Sequence, residues 1–226
     1  RNAYCGRNFE YYSEDGFLSG KIAAAEISGI QSKGVYVYMK HFALNDSETK
    51  CRCISTWANE QSIREIYLKP FEMSVKDADC HAVMSSFNYI GNRWAGGCSE
   101  LLQNVLRGEW GFLGFVETDY FGVYGYMTAD QAVRNGGDLM LCTTGNDYNN
   151  VTVLTNSSKQ TMRTAAKNIL YTVVNSRAYD EENLNPGMAK WKIVLIGADV
   201  VAALLIVGLE YTAIKNYKKR KEEEEV

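Results

Sequence analysis

Gly114-Phe115-Val116-Glu117-Thr118-Asp119-Tyr120 is the stretch around which the rest of the chain is organised. Gly114 frees the backbone, Phe115 and Val116 favour extended structure, and Asp119 stands where the apolar run ends. Phe121 and Gly122 then supply turn material. This spells a short buried strand that finishes on a carboxylate. In parallel sheets and barrels the carboxyl ends of strands face the site. Tyr120 and Phe121 flank the carboxylate, a setting suited to a nucleophile or an acid/base group in a sugar site. Taken alone, the stretch equally fits an Asp that caps the following turn.

Working outward, the hydrophobic period switches repeatedly between strand and helix. Towards the N-terminus, Ala82 to Phe87 reads as a strand, and so does Val35 to Met39, which delivers Lys40 and His41 at its carboxyl end. Towards the C-terminus, Leu139 to Cys142 reads as a last strand. Helical spacing fills the intervals. One helix is capped by Ser19 and stopped at Gly34, and another runs from about Thr56 with Ile63, Ile66, Tyr67 and Phe71 on one face. A third opens at Ser99, a short one covers Thr128 to Asn135 before Gly136, and a long one starts near Ser158. Strands alternating with helices argue a parallel α/β architecture. The four strands read here cannot close an eight-stranded barrel. The expected fold is therefore α/β: a partial (β/α)8 TIM-type barrel, its C-terminal half, with the first half missing or supplied elsewhere.

After Pro186 and Gly187 the composition changes. From Trp191 to Leu209 the chain is almost wholly apolar, and Asp199 is the one charge after Lys192. About 20 such residues span a bilayer. Apolar residues lie all round the helix rather than on one stripe, which favours a transmembrane helix over a buried core helix. Asp199 costs about 3 kcal/mol at mid-membrane, which the surrounding Ile, Leu and Val can offset. Lys218 to Lys221 form a basic cluster that favours a cytoplasmic C-terminus and places the preceding domain outside. The expected organisation is a barrel-type domain over residues 1–178, a linker over 179–190, a single transmembrane helix over 191–211 and a charged cytoplasmic tail over 212–226.

The chain has 226 residues and a net charge of −3, with no basic patch interleaved with aromatics, so nucleic acid is not an expected partner. The 15 Tyr, 8 Phe and 4 Trp suit carbohydrate faces and ordinary packing alike. Six cysteines are present, but Cys51 and Cys53 are too close for the usual zinc pair, and no Cys/His cluster joins them. No metal and no cofactor are expected. The cysteines read mostly as buried free thiols, with disulfides open if the domain faces an oxidising compartment. Residue 1 is Arg rather than Met, and we read the chain as a fragment or a truncated gene product.

Four stretches in order now carry a resemblance. They are Gly6 to Asp15 (Gly-Arg-Asn-Phe-Glu-Tyr-Tyr-Ser-Glu-Asp), Lys40 to Asp46 (Lys-His-Phe-Ala-Leu-Asn-Asp), Ala82 to Asn88, and Gly114 to Tyr120. With Arg107-Gly108-Glu109-Trp110-Gly111-Phe112 they resemble the barrel domain of glycoside hydrolase family 3, most closely its β-glucosidase branch. The resemblance covers about residues 1 to 178. It implies hydrolysis of terminal β-linked glycosyl residues with retention of configuration, and it gives Asp119 the role of catalytic nucleophile. It implies that Arg7, Lys40 and His41 hold sugar hydroxyls and that Phe87 contacts the sugar, where many relatives carry Tyr. Thr118 stands where relatives usually have Ser and keeps the hydroxyl. The implied substrate is a β-linked oligosaccharide or an aryl or alkyl glycoside. The acid/base usually comes from a sandwich-type domain that nothing in this sequence resembles. Glu14, Asp15, Asp46 and Glu48 are the local alternatives. The loop Phe42 to Ser47 lacks the His that marks the N-acetylglucosaminidase branch, which disfavours that activity.

The positive charges of Arg7, Lys40 and His41 are expected to help keep Asp119 ionised. Two functions follow: an exo-acting β-glycosidase anchored outside a membrane, and a membrane-tethered remnant that at most binds sugar. An aldolase-type barrel is weakened because no strand-end Lys sits alone in an apolar pocket. Asn45, Asn150 and Asn156 each head an Asn-x-Ser/Thr triplet. A glycan on Asn45 would block the sugar site, so a bacterial origin is expected. Possible partners beyond the substrate and the membrane are the missing barrel half and the sandwich domain.

Overall fold

The computed structural model describes residues 3–52, 54–122, 124–142, 147–180, 184 and 187–224. It divides into two units, residues 1–178 and 179–226.

In the first unit the parallel strands β1 (Tyr38–Phe42), β3 (Ala82–Ser85) and β6 (Phe115–Glu117) lie side by side in chain order. Tyr38 aligns with Ala82 and Phe115, and Met39 aligns with Val83 and Val116. Leu139 makes a single parallel bridge to Glu117, and the strand expected over Leu139–Cys142 goes no further than that bridge. Alternation sorts the side chains onto two faces. Met39, Val83 and Val116 enter the main core with Leu102, Leu106 and Val75. On the other face Tyr38 and Tyr36 meet Phe115 edge to face, at 5.4 and 5.9 Å. This is the arc of parallel strands that the periodicity predicts, with helices against one face.

The helices are set by their caps. α1 (Gly16–Gln31) starts three residues before the expected Ser19, because Asp15 Oδ1 accepts the N–H groups of Phe17 and Leu18 at 2.8 and 2.9 Å. The Ser19 hydroxyl donates instead to the Ser13 carbonyl. After the helix Gly34 turns with φ +74°, as its position predicts. The second helical stretch begins later than Thr56. Its first turn, α2 (Glu60–Ser62), is capped by Asn59, whose side chain accepts from Ser62 N, and it continues through Ile63–Tyr67 into α3 (Lys69–Lys76). Helix Glu100–Glu109 follows Ser99. α4 (Ala129–Arg134) is capped by Thr128, and α5 (Asn156–Val174) opens with a Thr155–Ser158 capping box.

Two expectations are corrected. The first strand runs Tyr38–Phe42 rather than Val35–Met39, so Lys40 and His41 lie inside it. Val35 is exposed, and pairing with β3 begins only at Tyr38; the register shifts between Met39 and Phe42, where the Lys40–His41 and Phe42–Ala43 peptides are cis. Thr56 belongs to a small second sheet, β2 (Ser55–Thr56), β4 (Tyr89–Ile90) and β5 (Arg93–Trp94), that the sequence reading lacked. Thr56 Oγ1 accepts from Asn88 Nδ2 at 3.0 Å and donates to the Tyr89 carbonyl at 2.8 Å, which holds it extended.

β6 is seated tightly. A Cβ at Gly114 would lie 1.9 Å from the His81 carbonyl oxygen, so only glycine permits the approach of β6 to the end of the preceding loop. Asp138, with 2% of its side chain exposed, accepts the Val116 N–H at 2.8 Å, Arg107 Nη2 at 2.6 Å and Asn168 Nδ2 at 2.9 Å. Arg107 Nη1 also donates to the Gly114 carbonyl at 2.8 Å. Burial pushes Asp138 up to about 6, against the lowering by Arg107, the Val116 N–H and Asn168, so it remains a carboxylate at neutral pH. Cys51, Cys80, Cys98 and Cys142 are in no disulfide, and burial pushes Cys80 up to about 11.

The second unit contains helix α6 (Lys190–Glu224). It is long enough and apolar enough to cross a membrane. Its apolar stretch from Trp191 to Tyr211 rises ~30 Å, the thickness of a hydrocarbon core.

Asp138→Ala would leave the Arg107 guanidinium buried without its carboxylate, a loss of about 3–5 kcal/mol. Chemical denaturation of the whole chain is expected to show that loss, whereas the double change Arg107→Met with Asp138→Leu should cost far less. Equal losses in the two proteins would contradict this reading of the pair.

Candidate functional site

Asp119 follows β6 by two residues and is 9% exposed. Phe115, Glu117 and Asp119 share the face of the sheet that carries Tyr38, away from the main core. The Asp119 carboxylate has two unlike oxygens. Oδ1 accepts the Tyr120 N–H at 2.7 Å, which fixes its orientation. Oδ2 accepts no hydrogen bond among the described residues and lies 3.4 Å from His41 Nε2. The same ring nitrogen is 3.4 Å from Arg7 Nη1. Arg donates only, so Nε2 either accepts from Arg7, with the ring proton on Nδ1, or donates to Asp119. The loop before α1 and strand β1 thus bring a cation and an imidazole to the end of β6.

Three influences set the charge of Asp119. Burial pushes it above the usual carboxylate range, the Tyr120 N–H, Lys40 and Arg7 pull it down, and Glu48 pushes it up. The cations act in the expected direction, but burial outweighs them. Glu117 is also raised, by burial first and by Asp119, while the Tyr38 hydroxyl holds it down. Burial works against the Arg7 guanidinium, yet Glu10, Tyr11 and Glu48 together hold it above its ordinary value. Arg7 pairs closely with Glu10 through Nε, and Glu48 Oε1 lies 3.9 Å from Nη1.

Of the residues singled out in the sequence, Arg7, His41 and Asp119 meet directly, and exposed Lys40 acts on Asp119 through its charge. Lys40 and His41 also line a cavity of ≈ 280 Å³ with Tyr38, Asn45 and Tyr67. Phe87 packs elsewhere, in a second cluster around Trp94, Phe121 and Met127. It meets Tyr124 edge to face at 6.0 Å, and Tyr126 Oη donates to its carbonyl at 3.0 Å. The Thr118 hydroxyl accepts the Leu141 N–H at 3.1 Å, so it serves to hold the neighbouring segment. Among the alternative acids, Asp15 is committed to its helix cap, Glu14 and Asp46 line the cavity, and Glu48 approaches Arg7.

Sequence reasoning named Glu48 as a local alternative acid but not as a charge acting on Asp119, and it missed Glu117. Glu117 was legible, since two residues along a strand return to the same face. Glu48 lies in a loop without periodicity, so its approach to Arg7 had no local pattern behind it.

Beta-glucosidase B of Emericella nidulans is 45% identical over 139 residues, which are 62% of this chain and 16% of that protein. A beta-glucosidase of Rhizobium radiobacter is 44% identical over 139 residues, 62% of this chain and 17% of that one. The structure of beta-glucosidase 3B from Thermotoga neapolitana in complex with glycerol superposes with a TM-score of 0.70 at 35% identity, covering 81% of this chain and 27% of that chain. The chain therefore spans about a sixth of the curated relatives and about a quarter of the structural one. The family model for the glycosyl hydrolase family 3 N-terminal domain matches residues 1–170, and the chain belongs to that family.

Proposed function

We propose that this domain takes part in retaining hydrolysis of terminal β-linked glucosides, with Asp119 as nucleophile. The observation that carries the proposal is the pair of unlike oxygens: Oδ1 is held by the Tyr120 N–H, while Oδ2 has no hydrogen bond among the described residues and stands beside His41. Oδ1 is fixed, and Oδ2 is buried without a hydrogen bond, so its lone pairs are unspent and a sugar binding here would have to uncover it. Oδ2 forms the bond to the anomeric carbon as the aglycone oxygen leaves, and water later releases the sugar with overall retention. Arg7, Lys40 and His41 supply donors for sugar hydroxyls around that carbon, and Phe87 supplies an apolar contact. The β-glucosidases to which the chain is similar support glucose as the sugar.

The second carboxyl group of the mechanism comes from outside these residues. Retaining enzymes place the two about 5 Å apart. Asp15 and Glu48 are engaged with a helix cap and with Arg7, and Glu14 and Asp46 line a cavity whose lining does not include Asp119. The chain by itself is therefore expected to lack turnover on glycosides that need protonation of the leaving group. A 2,4-dinitrophenyl β-glucoside needs no such proton. The chain should release dinitrophenolate from it, and Asp119→Asn should lower that rate at least about a thousandfold while the melting curve persists. Undiminished release by folded Asp119→Asn would remove Asp119 from the role.

The charge balance at Asp119 gives a second test. Lys40 lowers and Glu48 raises its pKa, so Lys40→Met should move it up and Glu48→Gln should move it down. Carbon-detected NMR titration of the Asp119 carboxyl reads both shifts, and opposite signs would contradict the arrangement.

The apolar stretch of α6 supports a membrane anchor, with residues 1–178 outside and Lys218 to Lys221 inside. Asn45 is 5% exposed, which leaves no room for a glycan there. Protease added to intact cells is expected to degrade the N-terminal domain and spare a C-terminal tag; the reverse would overturn the orientation.

A further inference from the structure

The loops that follow β1, β3 and β6 meet at a stacked arrangement of which the proposed hydrolysis uses only Phe87. The Arg52 guanidinium lies 4.0 Å over the ring of Tyr124 and 5.7 Å from that of Phe87. Tyr124 and Phe87 are half-buried and meet edge to face, while Arg52 is exposed. Behind them Tyr89, Tyr126 and Trp94 complete a continuous aromatic bed, with Tyr124 and Tyr126 stacked at 6.5 Å. All three loops leave the carboxyl ends of their strands, the same edge of the sheet that carries Asp119.

The chemistry of Arg52 is specific. A guanidinium laid flat on an aromatic ring keeps its N–H edge free, and that edge matches a carboxylate with two parallel hydrogen bonds. Arg52 has no carboxylate partner among the described residues, whereas Arg7, Arg64, Arg93 and Arg107 each pair with one. The stack also removes much of the side-chain freedom that binding would otherwise have to restrict.

We infer that Arg52, held by Tyr124 and Phe87, is a specificity-determining residue that receives a carboxylate on the aglycone, so that the favoured glycosides carry an acidic planar leaving group. This rests on the glycosidase reading above, in which the sugar occupies the ground around Asp119, Arg7 and Lys40. The aromatic bed takes the ring of the aglycone, and the guanidinium edge takes its carboxylate.

The test uses the whole chain and two non-hydrolysable probes, phenyl β-thioglucoside and 4-carboxyphenyl β-thioglucoside, with calorimetric titration at low salt. The carboxylated probe is expected to bind about tenfold tighter, the scale of a hydrogen bond to a charged group. Arg52→Ala should abolish that preference without weakening the neutral probe, and Arg52→Lys should retain part of it. Lys40→Ala should weaken both probes equally, because it removes a sugar contact. Equal binding of the two probes, or a preference that survives in Arg52→Ala, overturns the assignment of Arg52 and leaves the sugar site standing. Failure of both probes to bind the folded chain overturns the sugar-site reading and this inference with it.

Discussion

Asp138 is a carboxylate with almost no water around it, and the position of β6 depends on it. Its oxygens gather the Val116 N–H, the Arg107 guanidinium and the Asn168 amide, which belong to three different parts of the chain. Arg107 in turn holds the Gly114 carbonyl. The start of β6 is thereby clamped to the helix before it and to α5, while the bare Cα of Gly114 lets it press against the His81 carbonyl. Each of these bonds is charge-assisted and at least partly buried, so losing one partner strands the others. Everything beyond Val116, including the carboxylate at residue 119, is aimed by this anchorage.

At the other end of the strand the balance differs. Asp119 is buried enough that its charge is opposed, yet it is given one N–H, two nearby cations and a histidine. A carboxylate ringed by strong donors would be stable and unreactive. One that is partly desolvated, with an oxygen left without a hydrogen bond, keeps its basicity and its lone pairs for carbon. The free energy that Asp138 contributes to order is compatible with that less comfortable placement five residues beyond Gly114 and two beyond the strand. Asp138 and Asp119 thus differ in how many donors reach them, not in burial alone.

Much of this was legible in the residues. The runs 82–87 and 115–118 could be read as strands because β-branched and aromatic residues there end on polar groups, and the helix around Leu102 and Leu106 because its apolar residues repeat at helical spacing. The cap of α5 was within a few residues of its true place. Strands of two residues, such as β2, β4 and β5, show no period at all, so the second sheet was invisible. The start of β1 was misplaced because Val35 and Val37 have strand propensity that no neighbour uses; pairing, not propensity, fixes the boundary. Arg7, His41 and Asp119 were joined only through family resemblance, since their meeting spans the whole sheet. Glu48 and the Arg52 stack lie in the loop after β1, where side-chain partners are chosen by tertiary contacts that local patterns do not encode.

The central claim is that Asp119 Oδ2 attacks the anomeric carbon, and covalent trapping tests it most directly. Incubation of the chain with 2,4-dinitrophenyl 2-deoxy-2-fluoro-β-glucoside should leave one fluoroglucosyl ester per chain, because the activated leaving group requires no acid and the fluorine slows release of the ester. Mass mapping of a protease digest should place that ester on Asp119. An ester on Glu48, Glu117 or any other carboxylate, or no ester on a folded chain, would contradict the account.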